Sequence, residues 1–246
     1  METIHEIKFT IREDQLDSKG ELRLFSLLRL AMDTTNEHSK LLGLGWHDLR
    51  EKSLTWIVTR HKVQITRLPR LGEEVTVKTW PMPTTRVIYP RCVVAYDKEG
   101  KELFTCLTLW GLLDTTARCL VRPEKGGVQV NGVAFGTEPS LPNSILPRQL
   151  ANSTPHQVVQ EDLDLNGHVN NARYIDWVQT LLPGAFPEDR AVKGFTICYL
   201  SETLLGQNLE LRWELFEDGC LQVDAHRQRT DVPEQTDRVL AVQVFF

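Results

Sequence analysis

The sequence predicts an α+β protein in which one plan is used twice, and three observations carry that prediction. Runs of strict apolar–polar alternation mark half-buried antiparallel strands, and two segments with apolar residues at steps of three or four mark helices. The order strand, turn, helix and then a run of strands occurs in each half of the 246 residues.

In the first copy Ile4 to Ile11 alternates as a strand, and Asp14 to Gly20 is a polar turn. Leu22, Phe25, Leu28 and Met32, flanked by Leu24, Leu27 and Ala31, then give a helix with a broad apolar face that ends near Gly43 and Gly45. Strands follow over Leu54–Thr66, Glu74–Trp80, Arg86–Tyr96 and Leu103–Leu113, with Asp97-Lys98-Glu99-Gly100 as a hairpin turn between the last two. Periodicity is lost between Pro123 and Pro155, where Pro139, Pro142 and Pro147 and four glycines point to a connector.

The plan then restarts with a short strand at His156–Val159 and a polar turn at Glu161 to Gly167. A second helix presents Ala172, Ile175, Val178 and Leu182 on one face and stops at Pro183-Gly184. Strands are expected at Phe195–Leu205, Leu209–Phe216, Leu221–Ala225 and Val239–Phe246. Residues repeat as well as elements: Asp14 to Glu21 can be laid on Glu161 to His168, and Leu71-Gly72 on Leu205-Gly206. These alignments place a first unit at 1–130, a connector at 131–154 and a second unit at 155–246.

Composition narrows the class. With 41% hydrophobic and 25% charged residues the chain can bury a core, and a net charge of −5 argues against a nucleic-acid binder. No apolar run of membrane-spanning length occurs, and the N-terminus alternates like a strand with no signal region, so a cytoplasmic location is expected. Cys92, Cys106, Cys119, Cys198 and Cys220 form no C-x-x-C pair and read as reduced structural residues. The seven histidines show no metal-ligand spacing, so neither a metal nor a cofactor is implied. A G-x-S-x-G elbow and a phosphate-binding glycine loop are both lacking.

One stretch carries chemistry: Asp162-Leu163-Asp164-Leu165-Asn166-Gly167-His168-Val169-Asn170-Asn171. Carboxylate, carboxamide and imidazole stand at alternate positions just before a helix, whose first N–H groups and dipole can stabilise an oxyanion. Asp, Asn and Gly are equally the residues of an ordinary helix-start turn, and Asp162 reads as no more than a cap.

The run from Asp162 to Trp177 resembles the hallmark of plant and bacterial acyl-acyl carrier protein thioesterases, roughly D-L-D-x-N-x-H-V-N-N-x-x-Y-[IV]-x-W. The resemblance implies that Asp164, Asn166 and His168 line the active site. It implies a further catalytic Glu on the first strand after the helix, where Tyr199-Leu200-Ser201-Glu202-Thr203 makes Glu202 the candidate. The family's Arg pair is replaced here by Leu200-Ser201, and its Cys by Thr203, which excludes a catalytic cysteine at that position. The first copy has Lys19, Glu21 and Leu68 at the places of Asn166, His168 and Glu202, so the full set occurs in the second copy alone.

The resemblance further implies two tandem hotdog domains, each an antiparallel sheet wrapped around a long helix, and hydrolysis of fatty-acyl thioesters on acyl carrier protein. Either Glu202 or Asp164 activates water, or Asp164 attacks directly and forms an anhydride. The acyl tail is expected in the apolar space between helix and sheet of the first unit. Partner expectations are the loaded carrier protein and no nucleic acid, with a homodimer left open; the basic residues Arg60, His61, Lys62, Arg67 and Arg70 read either as a face for the acidic carrier or, more commonly, as a solvated strand face. The rival readings are a coenzyme A thioesterase, a hotdog dehydratase, and a non-catalytic acyl-binding module.

Overall fold

The computed structural model describes residues 3–182, 184–187, 189–229 and 235–246. The chain divides into two compact units, Met1–Pro142 and Asn143–Phe246.

The first unit runs β1 (His5–Thr10), α1 (Leu24–Leu41), α2 (Trp46–Arg50), β2 (Leu54–Ile65), β3 (Glu74–Pro81), β4 (Ile88–Tyr96), β5 (Glu102–Asp114), β6 (Cys119–Leu120) and α3 (Pro123–Gly126). Its sheet is antiparallel in the order β1-β3-β4-β5-β2, with β6 added to β5. Helix α1 lies on β1, β3 and β4 and buries Leu24, Leu27, Leu28, Ala31, Thr34, Thr35 and His38. That is the three-and-four spacing seen in the sequence, and each buried leucine contributes about 1.5–3 kcal/mol.

The second unit runs β7 (Asn152–Gln157), α4 (Arg173–Leu181), β8 (Gly194–Tyr199), β9 (Asn208–Leu215), β10 (Cys220–Gln228) and β11 (Thr236–Phe245). Its order, β7-β9-β10-β11-β8, is the first unit's order strand for strand. Ala172, Ile175, Val178 and Leu182 are all buried. Pro183, expected to stop this helix, lies outside the described residues.

Among the boundaries that differ from the sequence reading, three have a visible cause. The short helix α2 follows α1, because Asp48 accepts from the N–H of Gly45 at 2.8 Å and starts a new turn there. The strand before the second turn begins at Asn152, earlier than its alternation suggested, because Pro155 is tolerated on this edge strand. The strand expected over Phe195–Leu205 ends at Tyr199, because Leu200 and Ser201 both donate to the Val239 carbonyl, at 3.0 and 3.2 Å, and the chain bends.

Residues 131–151 contain neither helix nor strand, yet they are tied down. Within the first unit Val133 donates to the Pro81 carbonyl at 2.9 Å, and Gly132 passes so close to the Met82 carbonyl that no side chain fits there. Arg60 and Lys62 donate to the carbonyls of Pro142 and Ser140 at 3.3 and 3.2 Å. Within the second unit Arg238 and Gln222 hold the carbonyls of Ile145 and Leu146 at 2.8 and 3.0 Å.

Those contacts and a set of ion pairs engage the basic stretch from Arg60 to Arg70. Arg60 and Lys62 bind the connector, His61 is fully buried, Arg67 pairs with Glu73 and Asp97, and Arg70 pairs with Glu21. All five cysteines are free; Cys119 is exposed, whereas the others are buried. Burial pushes the Cys106 thiol up to about 12, so it stays protonated and inert.

Candidate active site

The residues from Asp164 to His168 form one tight turn. Asp164 donates its N–H to the His168 carbonyl at 2.8 Å, and Gly167, at φ +77°, donates to the Asp164 carbonyl at 3.1 Å. Only glycine adopts that φ cheaply. The Asp164 side chain closes the turn: Oδ1 accepts from the N–H of Asn166 at 2.8 Å and of His168 at 3.3 Å. Asp164 is half-buried and its carboxylate faces its own backbone, whereas the Asn166 side chain is exposed beside it.

Glu202 reaches this turn from the bend after β8. Val169 donates to the Thr203 carbonyl at 3.0 Å, His168 bridges to Leu204, and Arg227 donates to the Glu202 carbonyl at 3.0 Å. These backbone ties bring His168 Nε2 to 3.3 Å from Glu202 Oε2, with 41% and 42% of the two side chains exposed. The structure therefore joins Asp164, Asn166, His168 and Glu202 in one place, reached by solvent.

A buried layer supports the turn from below. Asp162 accepts from the Val159 N–H and from Trp177 Nε1, both at 3.0 Å, while its own carbonyl accepts from Asn170 at 2.8 Å. Trp177 packs on His156 and on Tyr174, whose ring meets Tyr199. The Tyr199 hydroxyl donates to the Asn171 carbonyl at 2.8 Å. The sequence marked Asp162 only as a cap; its second bond, to Trp177, has no local signature. The helix start also differs from expectation: Ala172 donates to Asn170 Oδ1 and Arg173 to the Asn170 carbonyl, so two N–H groups foreseen for an oxyanion are already engaged.

The first unit holds the same turn with other side chains. Asp17 Oδ1 accepts from the N–H of Lys19 at 2.9 Å and of Glu21 at 3.0 Å, and Leu22 donates to the Pro69 carbonyl at 2.9 Å as Val169 does to Thr203. This register sets Lys19 against Asn166, Glu21 against His168 and Leu68 against Glu202. Glu21 there pairs with Arg70 at 3.3 Å. Among the described residues no cluster of His, Cys, Asp and Glu is arranged to hold a metal.

Solved structures share this architecture, the hotdog fold used twice in one chain. An acyl-ACP thioesterase from Bacteroides thetaiotaomicron superposes with a TM-score of 0.85 at 21% identity, covering 99% of this chain and 98% of that one. The 12:0-ACP thioesterase from Umbellularia californica gives 0.81 at 20% identity, covering 100% and 97%. At such identities the likeness is one of fold. The sequence itself matches the acyl-ACP thioesterase N-terminal domain over residues 2–126 and the C-terminal domain over 147–237, so the chain belongs to the acyl-ACP thioesterase family. Among curated relatives, a dodecanoyl-[acyl-carrier-protein] hydrolase, chloroplastic, from Cinnamomum camphora is 26% identical over 82% of this chain and 57% of its own length. A palmitoyl-acyl carrier protein thioesterase, chloroplastic, from Gossypium hirsutum is 27% identical over 79% of this chain and 51% of its own. The chain thus spans about half the length of the curated relatives it matches.

Proposed function

We propose that the chain hydrolyses fatty-acyl thioesters on acyl carrier protein, with Glu202, His168 and Asn166 as the reacting set and Asp164 as the residue that shapes their turn. The observation that carries this reading is the exposed His168–Glu202 pair at 3.3 Å, in a turn whose copy in the first unit bears Glu21 and Arg70 instead. Family membership supports the thioester as substrate, and the relatives named as acyl carrier protein hydrolases support the carrier as its handle.

In this mechanism the Glu202 carboxylate takes a proton from water as the oxygen attacks the thioester carbonyl. His168 holds the carboxylate in place through Nε2, and the exposed Asn166 amide donates to the developing oxyanion. Collapse expels the carrier thiolate, which takes back the proton, leaving a free fatty acid. The chemistry needs no cofactor. Among the described residues no helix is long and apolar enough to cross a membrane, and we place the protein in the cytoplasm.

The test is product release from a ladder of acyl carrier protein substrates, with coenzyme A esters alongside. Glu202→Gln should lower turnover by about 10²–10⁴, the worth of a positioned base. Glu21→Ala in the first unit should keep at least roughly half of it, since surface changes outside the chemistry act weakly. Equal loss in both variants, or hydrolysis of coenzyme A esters alone, would overturn the proposal.

A further inference from the structure

Glu202 stands on a bend that packing alone does not hold. From Ser201 to Gly206 only Thr203 is buried, and the Glu202 side chain is itself 42% exposed. A side chain that exposed samples several rotamers, and misplacing a reacting group by about 1 Å can cost about 10² in rate. Something other than burial has to fix the direction in which Glu202 points.

One guanidinium closes this bend. Arg227 reaches it from β10, where the residue stands opposite Leu209 on β9 and Asp237 on β11. Its Nη1 donates to the Glu202 carbonyl at 3.0 Å and to Gln207 Oε1 at 3.2 Å, and its Nη2 donates to Ser201 Oγ at 3.4 Å. Gln207 Oε1 also accepts from the Leu204 N–H at 3.1 Å, so the start and the end of the bend are tied through one group. The next carbonyl, that of Thr203, accepts from Val169. The backbone of Glu202 is therefore held between β10 and the turn that carries His168.

The first unit holds its own bend with a matching set of bonds, supplied by another residue. There Leu68 matches Glu202, Arg67 matches Ser201 and Glu73 matches Gln207. Arg67 Nη1 donates to the Leu68 carbonyl at 3.4 Å and to Glu73 Oε1 at 2.9 Å. The Arg70 N–H donates to the same Oε1 at 3.1 Å, as Leu204 does to Gln207. Two differences set the second unit apart. Its guanidinium comes from a neighbouring strand, and its acceptor is the neutral Gln207 in place of Glu73. Gln207 keeps the bond without bringing a second carboxylate, whose charge would repel the first, into the bend that carries Glu202.

We propose that Arg227 is a positioning residue for the hydrolysis: its guanidinium locks the backbone of Glu202 so that the carboxylate meets His168 and the attacking water. The assignment rests on the hydrolytic reading of the His168–Glu202 pair, and Arg227 acts through Glu202 without touching the substrate.

The experiment is steady-state hydrolysis of an acyl carrier protein thioester by Arg227→Met in three settings: alone, with Ser201→Arg, and with Glu202→Gln. Arg227→Met alone should lower kcat by about 10–10² and leave KM within about threefold, as a misplaced base does. Adding Ser201→Arg should raise kcat again by about threefold or more, because Arg67 reaches the matching acceptors from the matching position. In the Glu202→Gln background Arg227→Met should cost less than about twofold, since a residue that acts through Glu202 has nothing left there to position. An equal loss in both backgrounds, or a raised KM at unchanged kcat, would overturn the assignment and leave the hydrolytic reading standing. Wild-type turnover in Glu202→Gln itself would overturn both. Should Arg227→Met fail to fold, Arg227→Lys supports the same comparison of backgrounds, because a point-like ammonium lacks the fork that spans these acceptors.

Discussion

Asp164 can build the turn or attack the substrate, and paired substitutions in the two units separate these roles. Asp164→Ala removes backbone bonds of 2.8 and 3.3 Å, and Asp17→Ala removes their counterparts of 2.9 and 3.0 Å. Charge-assisted bonds of this kind are worth about 1.5–3 kcal/mol when buried. Partial exposure reduces this, and we expect roughly 1–2 kcal/mol for each substitution. At about 2–4 °C per kcal/mol for a chain of this size, both variants should melt lower by about 2–8 °C. Asn keeps an acceptor at Oδ1, so Asp164→Asn should recover most of the loss. Turnover then decides the role. A residue that only shapes the turn leaves Asp164→Asn within about tenfold of the wild type, whereas a nucleophile replaced by an amide costs about 10³ or more. A loss of that size at unchanged melting temperature would refute the turn-building role, as would ¹⁸O from labelled water appearing on the Asp164 peptide after a single turnover.

Two further outcomes follow from the buried residues. Burial pushes the His61 imidazole down to about 3, so the unfolded chain binds this proton near pH 6.5 and the folded chain only near pH 3. The stability contributed by neutral His61 is complete above pH 6.5 and is lost as pH falls from there toward about 3, at up to about 1.4 kcal/mol per unit. Urea unfolding of the wild type and His61→Gln should therefore show a shallower acid slope in the variant, and parallel slopes would contradict this. Asp162→Ala leaves the Val159 N–H and Trp177 Nε1 without their acceptor, which should cost about 2–5 kcal/mol in urea unfolding. The exposed neighbour Glu161→Ala should stay within about 0.5 kcal/mol of the wild type, and an equal effect in the two would argue against the clamp.

The sequence made the fold legible wherever periodicity was strong. The Leu24–Leu41 helix and the strands from Leu54 to Asp114 appear within a few residues of where their patterns put them, because the helix buries one face and the central strands β4 and β5 bury both. Less legible was whatever depends on distant partners. The bend after Tyr199 comes from two N–H groups sharing the Val239 carbonyl, which no local pattern announces. For the basic stretch charge alone was visible; the acceptors of Arg60 and Lys62, the Pro142 and Ser140 carbonyls, lie far along the chain.

The aspartate turn appears a third time, and that recurrence divides the motif into architecture and chemistry. At the hairpin between β4 and β5, Asp97 Oδ1 accepts from the N–H of Glu99 at 3.0 Å and of Lys101 at 2.9 Å, with Gly100 at φ +78°. This is the arrangement of Asp17 with Gly20 and of Asp164 with Gly167. At Asp97 the backbone bonds hold the carboxyl below its usual range, the Lys101 N–H contributing most. An aspartate and a glycine three residues on therefore occur here in a plain hairpin, and their presence beside His168 says little about a reaction. What distinguishes the three turns is the residue after the glycine and what stands near it. Lys101 makes no ion pair among the described residues; Glu21 meets Arg70; His168 meets Glu202, at the position where the first unit has Leu68. Three positions, Asn166, His168 and Glu202 against Lys19, Glu21 and Leu68, thus separate the second unit's turn from its twin, and the reaction we propose rests on them before it rests on Asp164.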